Sequence, residues 1–406
     1  MTGVRLDQPW LTAPATRAVI AALEAAGGPG CARFVGGCIR NALIGAPVAD
    51  IDIATTLRPE QTEAAVRAAG LKAVPTGIAH GTVTAIAERR PFEITTLRRD
   101  VSTDGRNATV AFTDDWAEDA ARRDFRLNAL YADADGRVFD PTGHGVEDAR
   151  AGRIVFVGEP ETRIREDFLR VLRFFRFHAW YGKGEPDAAG LAACRALASG
   201  MSRLSAERVS SELMKLLSAP DPRPAVAAMA GAGVLAEVLP EADLTPLFAA
   251  AVEQSGDPVV RLMVLLPADE RVAREAASRL RFPNATRDRL AFAARAVPTV
   301  SLTMSDREAR AALYRHGVAA VSDAVRRRWA GSPEQAGAAR RLLALAEGWT
   351  RPSMPVGGRD LARLGVKPGP ETGRLLKAFE EGWIADDFPA AGHEARLQAL
   401  LTGRPG

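Results

Sequence analysis

Cysteine is scarce in this sequence, with three in 406 residues: Cys31, Cys38 and Cys194. An odd number without metal-ligand spacing excludes a disulfide framework and a cysteine-held zinc site, and points to reduced cysteines used for packing. The histidines, His80, His144, His178, His316 and His393, fall in no triad or metal-binding spacing, so structural roles are expected of them. No uninterrupted apolar run approaches the roughly 18 residues that a membrane-spanning helix needs. The opening "MTGVRLDQPWLTAPATR" lacks the apolar centre of a secretory signal. These absences lead us to expect a cytoplasmic chain with no membrane contact, and nothing in the sequence implies a protein partner. The Gly-Lys-Ser/Thr end of a P-loop and the dinucleotide fingerprint are both missing. What remains is ordinary globular composition, 47% hydrophobic and 25% charged, in a chain long enough for two to four domains. Net charge is only +3, yet the bases are mostly arginine and cluster at Arg326, Arg327 and Arg328 and at Arg340 and Arg341. Arginine suits phosphate, although a solvated helix face has the same pattern.

The first 150 or so residues alternate. "ARFVGG" has the pattern of a strand ending in a turn, "CIRNALIG" of a helix, "ADIDIATT" of a strand, and "PEQTEAAVRAAG" of a helix opened by Pro59. "GTVTAIAERRPFEITTL" predicts two strands joined by a polar turn. Beyond Thr162 only helical periodicity is found, punctuated by stretches such as "SAPDPRP" and "GVKPGPETG". The expected plan is an α+β head over 1–150, a helical neck over 151–220, and a helical body and tail over 221–406.

Five constellations could carry chemistry. Asp50 and Asp52 are separated by one residue, so a strand points both carboxylates to one face and Ile51 and Ile53 to the other. Like charges this close raise each other's pKa unless a cation lies between them, and a divalent magnesium ion is the natural one. Gly36 and Gly37, between a strand and a helix, permit a positive φ and close approach of backbone N–H groups to an anion, with Arg40 one turn on. Glu93 lies on a strand-like run that could sit beside the Asp50/Asp52 strand, where it could bind metal or activate a hydroxyl. In "ARRDFRLNAL", Arg123 and Asp124 precede a helix-like stretch whose spacing puts Asp124 and Asn128 on one face. In "REDFLRVLRFFRF", Asp167, Arg170, Arg173 and Arg176 recur every third residue, a polar stripe on a helix otherwise dense in Leu and Phe. Buried arginines of that kind need an anionic partner.

In this order, "FVGGCIRNALIG", "DIDIATT", "GTVTAI", "EITTLR", "RRDFRLNAL", "DPTGHGVED" and "REDFLRVLRFFRF" resemble the class II tRNA nucleotidyltransferase and bacterial poly(A) polymerase family. The resemblance is most specific over residues 33–217. It implies a polymerase β-like nucleotidyltransferase head, followed by an extended all-α neck, body and tail that hold the tRNA acceptor arm. It implies that Asp50 and Asp52 bind Mg2+, that Gly36, Gly37 and Arg40 bind the triphosphate, and that Arg123, with Asp124 and Asn128, belongs to the nucleotide site. Asp167, Arg170, Arg173 and Arg176 would form a protein template for CTP and ATP. An aspartate accepting from the base amino group and an arginine one turn away donating to the ring nitrogen would select C and A over U and G. Two positions depart from the family: Asn41 stands where Asp is usual, and Arg126 where Thr is usual.

The segment before the second strand pair, "VPTGIAHGTVTAI", lacks the basic stretch of the poly(A) polymerases, and "RRDVSTDGRNATVAF" resembles the flexible loop of enzymes that add all of CCA. The expected activity is therefore CCA addition to tRNA from CTP and ATP with release of pyrophosphate. Poly(A) polymerase or a partial CC- or A-adding enzyme stands behind it, and a non-catalytic RNA-binding relative further back.

Overall fold

A computed structural model describes residues 3–77, 81–104 and 107–403. His80 and residues Gly105 and Arg106 of the expected loop lie outside the described residues. Contacts divide the chain into two compact units, Met1–Pro240 and Glu241–Gly406. Among the described residues no helix is long and apolar enough to cross a membrane, and all three cysteines are buried and free.

The first unit begins with helices α1 (Pro9–Thr12) and α2 (Pro14–Gly27), then β1 (Ala32–Val35), α3 (Gly37–Leu43), β2 (Asp52–Thr55), α4 (Pro59–Ala68), β3 (Lys72–Gly77), β4 (Thr82–Ala87) and β5 (Arg90–Thr96). A two-stranded hairpin, β6 (Arg98–Asp104) and β7 (Asn107–Phe112), follows, then α5 (Trp116–Ala121), β8 (Tyr131–Ala132) and β9 (Val138–Phe139). The main sheet has the order β3-β4-β5-β2-β1-β8-β9, antiparallel except for the parallel pair β2–β5. The hairpin corrects the loop expected over residues 98–112: its backbone is paired from Arg98↔Phe112 to Asp104↔Asn107. The composition of β6 hides the pairing, because Val101 is its one apolar residue.

The alternation of the sequence decides which sheet face is covered. Val83, Ala85, Phe92, Ile94 and Ile53 are buried on the side where α2 and α4 pack through Val19, Leu23, Ala65 and Val66. The intervening side chains face the other way; Thr84, Ile86 and Thr95 are half-buried, and Asp52 and Glu93 keep contact with solvent. The β4–β5 turn puts Glu88 (φ 48°) and Arg89 (φ 65°) in left-handed conformations, the two-residue geometry that matches strand twist even without glycine.

Helices take over after β9: α6 (Gly145–Ala151), α7 (Pro160–Glu166), α8 (Leu169–Tyr181), α9 (Ala188–Leu197), α10 (Ala206–Leu217), α11 (Arg223–Gly231) and α12 (Val234–Val238). α8 is anchored by an aromatic cluster. Phe156 stacks on Phe174 at 5.7 Å with ring planes 7° apart, and Phe125 lies 4.9 Å from Phe156 and 5.2 Å from Phe177. Phe125, Phe156 and Phe174 are fully buried, each worth about 2–3 kcal/mol of apolar transfer.

The second unit is helical among its described residues. It runs through α13 (Pro246–Gln254), α14 (Pro258–Leu265), α15 (Glu270–Arg279), α16 (Asn284–Ala296), α17 (Asp306–His316), α18 (Val318–Gly331) and α19 (Ala336–Glu347) to α20 (Gly358–Arg363), α21 (Pro370–Ala385) and α22 (His393–Leu401). One core is built around Leu313, Val325 and Leu342, another around Tyr314, Phe379 and Trp383. Four of the clustered arginines bond to groups of their own chain, although Arg328, Arg340 and Arg341 stay exposed. Arg328 donates to the Val297 carbonyl at 2.9 Å, Arg341 to the Met304 carbonyl at 2.6 Å, Arg327 to the Met263 carbonyl, and Arg326 to Asp323 at 3.2 Å. Carbonyls near helix ends lack intrahelical donors, and guanidinium groups supply them.

If the aromatic cluster fixes α8 to the head, Phe125→Ala should cost about 3–5 kcal/mol in equilibrium urea unfolding of the first unit. Phe125→Leu, which keeps most of the volume, should lose less than half of that.

Candidate active site

The open face of the main sheet carries three acids. Asp52 opens β2 and is paired in register with Glu93 of β5, so the two side chains emerge next to one another. β5 thus lies beside the strand with the paired aspartates, as the sequence suggested. Asp50 is exposed in the segment just before β2, and Ile51 between the two aspartates is buried, which keeps both carboxylates on the outer side. Burial within the cleft, then the neighbouring charges of Glu93 and Asp50, push the Asp52 carboxyl up to about 6. Among the described residues no group of three or more His, Cys, Asp and Glu is arranged to hold a metal ion. The acids of this face, Asp50 and Asp52 with Glu93 beside them, offer carboxylate oxygens, and two carboxylates suit magnesium, which completes its shell with water and phosphate oxygens.

β1 delivers the chain to Gly36, whose φ of 72° turns it into α3. Arg40 of α3 is buried. Rather than projecting outward, it donates to Asn128 Oδ1 at 2.6 Å, to Asn41 Oδ1 at 3.1 and 2.9 Å, and to the Tyr181 hydroxyl at 2.9 Å, with its guanidinium 3.9 Å from the Tyr181 ring centre. Burial, the leading influence on it, lowers its pKa.

The stretch after Asp124 is not the expected helix. Phe125 bridges to Phe156, and residues Arg126–Asn128 form a single 3-10 turn. The aromatic cluster overrides the local spacing, because Phe125 must extend to reach its partner. Asp124 and Asn128 still meet, with Asn128 Nδ2 donating to Asp124 Oδ1 at 3.2 Å. Arg126 lies 3.8 Å from Asp148 and is otherwise part of that turn.

The polar stripe also needs correction. Asp167 does not share a helix with Arg170. It sits in the break between α7 and α8 with φ −154°, where one carboxylate oxygen caps Leu169 N–H at 3.1 Å and the other accepts from Arg208 at 2.6 Å. An aspartate that caps the next helix has no place inside the one before it. Arg170 donates to Glu166, to the Arg163 carbonyl at 2.8 Å and to the Arg122 carbonyl at 3.0 Å. Arg173 is ion-paired with Asp124 and bonded to it at 2.7 Å, and Arg176 lies 2.6 Å from Glu212 of α10. Protein carboxylates thus provide the anions that the stripe calls for.

Arg123 donates to Asp119 at 3.2 and 3.0 Å and to the Tyr131 hydroxyl at 3.2 Å. Buried Asp119 also accepts from Arg122 at 2.9 Å and Tyr131 at 2.7 Å. Burial opposes the charge on Asp119, but the Arg123 and Arg122 guanidiniums and the Tyr131 hydroxyl outweigh it and hold the carboxyl at about 2. Asp119, Tyr131, Tyr181, Glu166, Arg208 and Glu212 were not singled out in the sequence. Only Asp119, four residues before Arg123, and Glu166, four before Arg170, have a local spacing that could have revealed them.

The two aspartates give opposite pH signatures. Asp52 is protonated in both folded and unfolded chains below pH 4; above that its charge is disfavoured by folding, so stability falls as pH rises from its ordinary 3.8 to about 6. In metal-free buffer Asp52→Asn should therefore be more stable than the parent above pH 6, by about 1 kcal/mol or less after solvent screening. Asp119 contributes stability above its ordinary 3.8 that is lost as pH falls toward about 2. Asp119→Asn should lose about 2–3 kcal/mol at pH 7 and show a shallower acid limb below pH 4, both read from denaturant midpoints.

Residues 32–155 match the family described as the poly A polymerase head domain, and residues 186–244 the one described as the probable RNA and SrmB-binding site of polymerase A. Over 191 residues the chain is 44% identical to the human mitochondrial CCA tRNA nucleotidyltransferase 1, covering 46% of this chain and 43% of that protein. It is 40% identical over 200 residues to a CCA-adding enzyme of Streptococcus pyogenes, covering 49% and 48%. The chain thus spans less than half the length of the curated relatives it matches. The fold is that of the Bacillus stearothermophilus CCA-adding enzyme solved with CTP (TM-score 0.78, 24% identity, 98% and 99% of the two chains). It is also that of the Thermotoga maritima enzyme solved with tRNA (TM-score 0.68, 20% identity, 98% of each chain). A matched head, a mixed sheet with its acids on the open face, and this shared fold lead to one conclusion: residues 32–155 are a poly A polymerase head domain, in a chain that has the fold of the CCA-adding enzymes.

Proposed function

We propose that this protein completes the CCA end of tRNA from CTP and ATP, without a nucleic-acid template and with release of pyrophosphate. The observation that carries the reading is the pairing of Asp52 with Glu93 on the open sheet face, next to Asp50. Carboxylates placed to repel one another cost stability, and that cost makes chemical sense where a cation and a phosphate ester meet them. The curated relatives of known name, human and streptococcal, are CCA-adding enzymes, which favours CCA addition over poly(A) synthesis.

In this reading Asp50 and Asp52 would hold magnesium, which when bound neutralises charge on the triphosphate and favours ionisation of the attacking hydroxyl. Glu93, beside Asp52, stands ready to accept the proton of the RNA 3′-hydroxyl. Gly36 and Gly37 let the backbone approach the triphosphate, and Arg123, fixed by Asp119 and Tyr131, presents positive charge at that turn. Arg173 and Arg176 of α8, paired with Asp124 and Glu212, keep the base-reading helix in place. Asp167 and Arg170 read the base. Arg208 and the Leu169 N–H orient the Asp167 carboxylate, which has acceptor sites to spare for the amino group of cytosine or adenine. Arg170 is held by three acceptors and has further N–H donors for a ring nitrogen. Uracil and guanine would set donor against donor and acceptor against acceptor.

Transcripts ending before CCA, before the final A, and of unrelated sequence should be incubated with CTP and ATP. Completion of CCA on tRNA alone is expected; long A tails on any RNA would overturn the reading. Asp52→Ala should reduce incorporation by about a thousandfold or more with tRNA binding retained. Asp167→Ala should admit UTP and GTP, and unchanged base selection would remove Asp167 from the template.

A further inference from the structure

We propose that Asn41 is a positioning residue: its amide, and not a carboxylate, ties buried Arg40 to the loop that carries Asp50. The Asn41 side chain has two different partners. Its Oδ1 accepts from Arg40 Nε at 3.1 Å and Nη2 at 2.9 Å, while its Nδ2 donates to the Pro47 carbonyl at 2.7 Å. The orientation of the amide is dictated by its neighbours, since a guanidinium only donates and a carbonyl only accepts. The Asn41 backbone carbonyl takes Ala46 N–H at 2.9 Å. Asn41 therefore grips residues 46 and 47 twice, at the point where the chain leaves α3 for Asp50.

At its other end the tie is immobile. Arg40 is held by Asn128, which is bonded to Asp124, which pairs with Arg173 of α8; the Tyr181 hydroxyl of α8 holds Arg40 directly. A continuous run of hydrogen bonds thus links the base-reading helix to the loop before the acids.

The position demands one acceptor for two N–H groups and one donor for a carbonyl. Asparagine provides both. Aspartate would satisfy Arg40 better, because every acceptor that the structure gives this buried guanidinium is a neutral oxygen. It would, however, turn an oxygen toward the Pro47 carbonyl and release the loop. The Asn41→Asp variant thus separates fold stability from loop positioning, which Asn41→Ala, lacking both contacts, does not.

The activity arm of the test rests on the proposed nucleotidyl transfer, and the exchange arm does not. Amide hydrogen exchange in peptides covering residues 44–51 should be about fivefold faster in both Asn41→Asp and Asn41→Ala than in the parent, the loss expected for one hydrogen bond. Asn41→Asp should melt at or above the parent temperature, and Asn41→Ala below it. With CTP and tRNA, Asn41→Asp should lose about tenfold in kcat while KM for CTP changes less than about twofold, since misplaced acids slow the chemical step. Exchange at parental rates in Asn41→Asp would overturn the proposal. So would a fall in melting temperature equal to that of Asn41→Ala, which would reduce Asn41 to a packing partner of Arg40. If the parent incorporates no nucleotide, the proposed function falls, while the exchange and melting data still decide the role of Asn41.

Discussion

A guanidinium withdrawn from water must find acceptors inside the protein, and in the first unit that demand builds the site. Arg40, Arg123, Arg170, Arg173 and Arg176 take acceptors from α3, α5, the segment Asp124–Asn128, α7 and α10. Removing all the acceptors of one of them would leave a charge stranded, whereas the complete set gives little net stability. Their value lies in specificity. Only one arrangement of head and α8 satisfies all five arginines, so the turn at Gly36 and the acids of β2 and β5 stand in a determined relation to the helix with the polar stripe.

Two aspartates show how the same side chain is put to opposite uses. Asp119 is surrounded by donors, stays charged far into acid, and holds Arg123 and Tyr131 in place. Asp52, partly withdrawn from water and then placed beside Glu93 and Asp50, resists ionisation up to about 6. One environment is complete within the protein, and the other asks for a positive charge from outside it. The arginine excess divides in the same way. In the second unit, the clustered arginines whose hydrogen bonds are seen serve the Val297, Met263 and Met304 carbonyls and the carboxylates of Asp323 and Asp306, so part of the arginine excess is engaged within the chain.

Much of the head was legible from residue order. The strand carrying Asp52 and Ile53, the helix opened by Pro59, the β4–β5 hairpin and the turn at Gly36 depend on period-2 alternation, a fixed proline φ and a positive glycine φ, all local properties. The hairpin over residues 98–112 was missed because β6, with Val101 its one apolar residue, lacks that alternation. The helix expected after Asp124 was misread because Phe125 answers to Phe156, thirty-one residues on in the chain.

The sequence by itself determined which residue types stand where: two aspartates on one side of a strand, a glycine pair before a helix, and arginines at every third position of an apolar helix. These follow from backbone geometry over a few residues. Only the tertiary structure decided what each charge faces. It set Glu93 beside Asp52, placed Asp167 in a helix break opposite Arg208, closed Tyr181 over Arg40 and turned the Asn41 amide toward Pro47. Electrostatic partners are chosen through space after the core has packed, and apart from neighbours such as Asn41 and Pro47 the distances along the chain that separate them leave no periodic trace in the residues between.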